Sequence, residues 1–426
     1  MATTVPSHDW LVDLRREFHR YPEPGWCEFW TTDRIVAECE ALGVDDVQYG
    51  PDVLDADERD GLPDEATLDE WLERARERGA DPDRLERMAG GFTGAIATIE
   101  GGDGPTVALR VDIDALPQQE PAEDSHAPAA GGFRSENEGY MHACGHDAHI
   151  TIGLGVLRAL VEADLPGTVK VLFQPAEELI GGARAMVESG QIDDVDTLLA
   201  VHVGLDYGTG EVVAGIEGLL AVSQFNATYT GAPAHAGGRP NQGKNAVQAL
   251  AAAIQGLYGI PRHEDGATRV NAGRVEGGTA SNIIPESASL EGEVRGDSTA
   301  LMEYMREHAN RVLRAAGDMH DCEVDVERAG QAPTALTDDA VVDVVEAVAG
   351  DVQGVTDVHR HGTLGGSEDA SLLMRHVQER GGQATFVCAG TDHPTGHHTA
   401  TFDVDEPTLG IGVDVLAGAI ERLASR

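Results

Sequence analysis

A chain of 426 residues with 41% apolar side chains can build two or three domains and a substantial core, which excludes disorder as the default. Its formal charge of -44, from 74 acids against 30 bases, would repel nucleic acid and anionic membranes. Lysine occurs only at Lys170 and Lys244 and the acids are spread along the whole chain. Such self-repulsion fits a halophilic protein in a salt-rich cytosol, where counterions screen it.

The amino-terminal stretch MATTVPSHDWLVDL has no basic segment followed by an apolar one. No apolar run reaches the roughly 18 residues of a membrane span, so a soluble, cytoplasmic protein is expected. Cys27, Cys39, Cys144, Cys322 and Cys388 are scattered and odd in number, which suits reduced thiols better than a disulfide framework. Four of them read as core filler in helix-like or strand-like apolar patterns. Cys144, set among His142, His146 and His149, does not.

In chain order, WLVDLRREFH and DRIVAECEAL have helical apolar spacing, TVALRVDID reads as a buried strand and HITIGLGVLRALV as a helix. TVKVLFQP follows as a strand, GGARAMVESG as a helix and TLLAVHVG as a strand. This alternation predicts an α/β fold with a largely parallel sheet covered on both faces. The charged, helix-prone segment from Asp55 to Met88 interrupts the pattern and reads as a surface helical insertion.

From about residue 216 the texture changes. SQFNATYTGAPAHAGG, RVNAGRVEGG and SASLEGEVRG alternate like antiparallel strands with one exposed face. AVQALAAAIQGLYGI and ALMEYMREHANRVLRAAG read as amphipathic helices. Two helices on one face of an antiparallel sheet make a ferredoxin-like α+β unit. After CEVDVERAG the α/β texture resumes, with a helix in EDASLLMRHVQERG, a strand in QATFVCAG and a closing amphipathic helix. The expected division is a catalytic domain over residues 1–215 and 336–426, with a satellite domain inserted over 216–335.

In open α/β sheets, ligands bind where strands end and helices begin. Those junctions carry Asp112 and Asp114 in RVDIDALP, then HACGHDAH, then Glu177 and Glu178 in FQPAEE, then His202 in AVHVG. His393, His397 and His398 follow QATFVCAG. A thiolate, imidazoles and carboxylates on one rim form a divalent-metal ligand set; sulfur and nitrogen point to zinc, and the carboxylates leave manganese open. Two other readings remain at this level. Cys144 beside His146 suits a nucleophilic or redox thiol, although paired acids and the lack of a second nearby cysteine weigh against redox chemistry. Glu177 and Glu178 also suit a helix N-terminus, where the backbone dipole favours negative charge.

The ordered blocks MHACGHDAH, FQPAEE, GARAMVESG, AVHVG, GAPAHAGGRP, GGTASNIIPESASLEGEVRG, GSEDAS and HHTATFDVDE resemble the aminoacylase and carboxypeptidase-like metal amidohydrolases over nearly the whole chain. The helical insertion and the histidine doublet resemble the aminobenzoyl-glutamate hydrolase branch most. The resemblance implies two divalent metal ions, Mn2+ or Zn2+, with Cys144 bridging and His146, Glu178, His202 and His398 as further ligands. His398 matches because that ligand stands four residues before the Phe of FDVDE, here Phe402. His397, His142 and His149 would then support the site by hydrogen bonds.

By the same resemblance Glu177 is the general base, His235 stabilises the oxyanion, and Asn282 and Arg295 hold the substrate carboxylate. The expected reaction is hydrolysis of an N-acyl or N-aroyl amino acid, aminobenzoyl-glutamate foremost. A broader acyl-amino-acid hydrolase or carboxypeptidase, and an idle member of a hetero-oligomer, stand as alternatives. The satellite domain is the expected contact for a homodimer or heterodimer.

Overall fold

Strands covered on both faces are largely apolar, and Val107–Asp112 and Thr197–Val203 are buried at every position, Arg110, Asp112, Thr197 and His202 being their polar residues. They belong to an eight-stranded sheet in the computed structural model, which describes residues 8–393 and 395–426. Of the amino-terminal stretch MATTVPSHDWLVDL, the first half lies outside the described residues.

Across the sheet the order is Asp46–Tyr49, Ala95–Ile99, Val169–Gln174, Val107–Asp112, Thr197–Val203, Gln383–Ala389, Glu211–Val213, Asp357–His359. The middle four run parallel. Ala95–Ile99 joins antiparallel to both of its neighbours, and Glu211–Val213 joins Gln383–Ala389 antiparallel. The parallel pattern read from the sequence therefore describes the centre of the sheet; short strands of mixed direction flank it, Asp357–His359 pairing parallel with Glu211–Val213.

Helices cover this sheet. His146–Leu160 packs on Val107–Asp112 and against His8–Arg20 and Pro407–Ala424, while Ala370–Glu379 packs on Thr197–Val203 and Gln383–Ala389. The charged insertion forms helices Glu65–Glu77 and Pro82–Met88, each started by an aspartate, Asp64 or Asp81, that accepts backbone N–H groups of the first turn. Their apolar stripe, Leu68, Trp71, Ala75, Leu85 and Met88, is buried, so the insertion is anchored despite its charge.

By compactness, one unit comprises the chain up to Glu217, Ala335–Leu364 and Asp369–Arg426; the other comprises Gly218–Thr334 and Gly365–Glu368. The second unit runs strand Ala221–Thr230, helix Ala246–Tyr258, strands Thr268–Gly277 and Ser287–Gly296, helix Thr299–Met319 and strand Glu323–Ala332. Its sheet is antiparallel in the order Glu323–Ala332, Ala221–Thr230, Ser287–Gly296, Thr268–Gly277, which is the ferredoxin-like arrangement. Alternation sends Phe225, Ala227, Tyr229, Leu290 and Val294 into a core with Leu250, Met305 and Leu313 of the helices. The opposite sheet face carries the polar residues.

All five cysteines are buried and none forms a disulfide. Cys39 and Cys388 lie in a helix and a strand, whereas Cys27 and Cys322 lie in loops just ahead of such elements. Among the described residues no helix is long and apolar enough to cross a membrane.

Candidate metal centre

The parallel strands deliver their polar junctions to one rim. Asp112 ends its strand and Asp114 follows; Glu177 and Glu178 follow the strand ending at Gln174; His202 lies at the end of Thr197–Val203. Between Cys144 and His146 the backbone must turn sharply into the helix, and Gly145 does so at φ 88°. A Cβ there would stand 2.6 Å from Cγ2 of Val203.

Donor atoms of Cys144, His146 and His202 lie within 4.8 Å of one another, as do those of Cys144, Glu178 and His398, and those of His146, Glu177 and Glu178. Cys144 is common to two of these sets. Its Sγ lies 3.5 Å from Nε2 of His202, and Nε2 of His398 lies 3.5 Å from a Glu178 oxygen.

The imidazoles are oriented from behind. His146 bonds through Nδ1 to the carbonyl and carboxylate of Asp114, at 3.0 and 3.1 Å. Its Nε2 is buried with no hydrogen-bond partner among the described residues, 3.6 Å from Asp112 and 3.8 Å from Glu178. Burial opposes a charge on His146, but Asp112, Asp114 and Glu178 outweigh it and raise its pKa well above the ordinary value. A positive charge is therefore wanted at this point. His202 donates Nδ1–H to the Val203 carbonyl at 2.8 Å, which turns Nε2 toward Cys144. Burial, then the neighbouring His149 and His397, hold His202 well below its usual pKa.

His149 is occupied at both nitrogens: Nδ1 bonds Asp112, and Nε2 accepts the Val203 N–H at 2.9 Å. It thus ties Asp112 to the strand that carries His202. Within the doublet, His397 donates Nε2–H to the Val203 carbonyl at 3.1 Å and packs on Phe402, and burial pulls its pKa to about 4. His398 instead adopts φ 61° and exposes 57% of its side chain beside Glu178. His142 is buried, and burial lowers its pKa to about 3.

Glu177 is only 6% exposed. The residue before it, Ala176, takes φ 52°, and its N–H bonds Glu28, a buried carboxyl whose pKa burial raises well above normal. Glu178 N–H bonds the second oxygen of Asp114 at 3.0 Å, so one carboxylate positions both His146 and Glu178.

Several supporting residues escape a sequence reading. Arg110 is fully buried and bonds Gln174, Asp112 and Asp369 at 2.8, 2.7 and 3.1 Å. Asp369, the last residue of the GGSED block, also accepts from Gln174 and the Ala183 N–H. Its partners are distant in sequence; the one available signal was an arginine inside the otherwise apolar VALRVD. On the far side of the metal helix, Asp147 takes Arg15 and His19 at 2.7 and 2.8 Å, and His19 also reaches Glu120.

His235, Asn282 and Arg295 belong to the inserted unit. His235 is exposed and accepts the Gly237 and Gly238 N–H groups at Nδ1, which leaves its proton on Nε2. The segment holding Asn282 is bridged to it, with the Asn282 carbonyl accepting the Ala236 N–H. Arg295 is held by both oxygens of Glu293 at 2.9 and 3.0 Å and points NH1 to Ser367.

A soft thiol, imidazoles and adjacent carboxylates, arranged around the buried, unpartnered Nε2 of His146, suit divalent cations by their chemistry. The comparisons with known proteins agree. The chain is 43% identical over 411 residues to the indole-3-acetyl-aspartic acid hydrolase of Enterobacter agglomerans, covering 96% of this chain and 94% of that one. It is 42% identical, over the same span and coverage, to one of the subunits of the p-aminobenzoyl-glutamate hydrolase of Escherichia coli.

Among solved structures, an aminobenzoyl-glutamate utilization protein from Klebsiella pneumoniae matches with a TM-score of 0.84 at 37% identity, covering 97% of this chain and 95% of that one. A dinuclear metal binding peptidase of the M20 family from Bacillus subtilis matches with a TM-score of 0.68 at 26% identity, covering 98% of each. The model of peptidase family M20/M25/M40 matches residues 108–422. The chain belongs to that family, and it is a metallopeptidase-type hydrolase of amides.

Proposed function

We propose that the chain hydrolyses N-acyl or N-aroyl amino acids, with aminobenzoyl-glutamate the preferred class, and that Cys144, His146, Glu178, His202 and His398 hold two divalent cations. The observation that carries this reading is the pair of donor sets sharing Cys144, beside the buried, unpartnered Nε2 of His146. When bound, the cations would acidify a water and polarise the scissile carbonyl.

Glu177 takes the proton of the attacking water and delivers it to the departing amine. Its burial and its place beside Glu178 support that role. Asp114 and Asp112 keep the imidazoles oriented through the bonds described above. His235, with its proton on Nε2, serves as oxyanion donor, and Asn282 and Arg295 take the substrate carboxylate. Cys144 acts as an anionic ligand and not as a nucleophile. Manganese and zinc both fit this donor set.

The acidity of the chain supports a working environment of high salt, a salt-rich cytosol. Assembly through the inserted unit, with a second copy or with a different protein, is part of the proposal; the Escherichia coli relative is one subunit of a hydrolase.

The test is aminobenzoate release from aminobenzoyl-glutamate by the chain alone in high salt, loaded separately with manganese and zinc. Glu177→Gln should still bind metal and lose at least about a hundred-fold in rate. Metal binding without release would point to another acyl group or a missing partner protein.

A further inference from the structure

The register of the inserted sheet sets Arg295 directly opposite Arg269 on the neighbouring strand. Directly opposed residues of an antiparallel pair share a face, with Cα atoms about 4.5–5.5 Å apart. Two guanidinium groups so placed repel each other unless anions sit with them. Among the described residues one carboxylate, Glu293, stands at ion-pair distance, bound side-on to Arg295 through Nε and NH2, while nearby Asp297 is taken up by the Ala267 N–H.

Arg269 is exposed, and its bond to the Thr268 carbonyl leaves it with no carboxylate at ion-pair distance among the described residues. Arg274, farther along the same strand, has two, Glu276 and Glu291. In a chain with 74 acids for 30 bases, an arginine facing another arginine with one acid paired to the two is unusual. Glu293 fixes one edge of Arg295. The other edge, NH1 and NH2, faces Ser367, 3.4 Å from NH1 in the GGSED block.

We propose that Arg269 and Arg295 form a dicarboxylate-recognition pair on the open face of the inserted sheet, Arg295 with Ser367 taking one carboxylate and Arg269 the other. The ligand class is an N-acylated dicarboxylic amino acid, glutamate or aspartate. The inference rests on the acyl-amino-acid reading of the site and adds its selectivity: Arg269 is a specificity-determining residue. Glu293 is a positioning residue, because it presents the free edge of Arg295.

The test separates binding from turnover. The full chain carrying Glu177→Gln, metal-loaded in constant salt, is titrated calorimetrically with N-benzoyl-glutamate and N-benzoyl-glutamine. The glutamate conjugate should bind at least about ten-fold tighter, the scale of one charge-assisted contact. Adding Arg269→Gln should reduce the glutamate affinity to that of the glutamine conjugate, and Arg269→Lys should restore part of the preference. Arg295→Gln should weaken both conjugates. Equal binding of the two conjugates by the parent, or an equal loss for both on Arg269→Gln, overturns the proposal. Benzoate release by the chain with Glu177 intact is scored separately. Selective binding without release would point to another acyl group or a missing partner protein and leave the recognition pair standing.

Discussion

Gly145→Ala is the substitution for which the structure sets the size of the effect most directly. At φ 88° an alanine occupies the left-handed region, at a cost of roughly 1–2 kcal/mol. Its Cβ would also lie 2.6 Å from Cγ2 of Val203, an overlap of the kind that costs about 1–3 kcal/mol in a packed core. The sum, about 2–5 kcal/mol, is a large part of a typical unfolding free energy. It falls between Cys144 and His146 and against the residue whose N–H holds His149, so metal affinity should drop with stability.

Val203→Ala removes the obstructing methyls but keeps the backbone bonds, at roughly 2 kcal/mol on its own. Denaturant unfolding of the wild type, both single variants and the double variant in constant high salt forms a cycle. The double variant should recover the clash component, a coupling of about 1–3 kcal/mol, and retain the backbone component. Strictly additive effects would refute the geometric argument.

Other outcomes follow from the same geometry. Asp114→Asn keeps the volume but weakens the acceptor shared by His146 and Glu178, so metal affinity, measured by chelator competition, should fall about 10–100-fold while the fold persists. His398→Ala should lose one of the two metal equivalents by elemental analysis, whereas His397→Ala should retain both; the reverse result would exchange their proposed roles. His19 gives a pH test: burial opposes its charge, yet its bonds to Asp147 and Glu120 raise its pKa from 6.5 to about 9. A raised pKa stabilises the fold fully below the unfolded value, and that stability is lost as pH rises through the folded one. The stability gap between wild type and His19→Gln should be widest below about pH 6.5 and narrow through about 9; a gap that widens with pH would contradict the assignment.

The central strands, their helices and the ferredoxin-like insertion were legible in the sequence because each rests on a local apolar period of two or of 3.6 residues. Asp46–Tyr49, Ala95–Ile99, Glu211–Val213 and Asp357–His359 were harder to see. They are short and lie toward the two margins of the sheet, Asp46–Tyr49 and Asp357–His359 at its edges, and such strands are defined by the neighbours that pair with them more than by their own composition. Cys144, Glu177, Glu178, His202 and the histidine doublet likewise stood out as polar residues at the ends of apolar runs. That rule names candidates without saying which atoms meet.

Meeting is a matter of tertiary structure. Only the folded chain sends His397 to a backbone carbonyl and His398 toward Glu178, because both share one composition and adjacent positions. Only the folded chain buries Arg110 against Asp369, 259 residues away, since no local pattern encodes a partner at that separation. The same holds for Arg269 and Arg295, which become neighbours through strand register, a property of the paired sheet and not of either strand alone. The sequence by itself determined the elements and the chemical types at their ends; long-range packing decided which of those groups face one another.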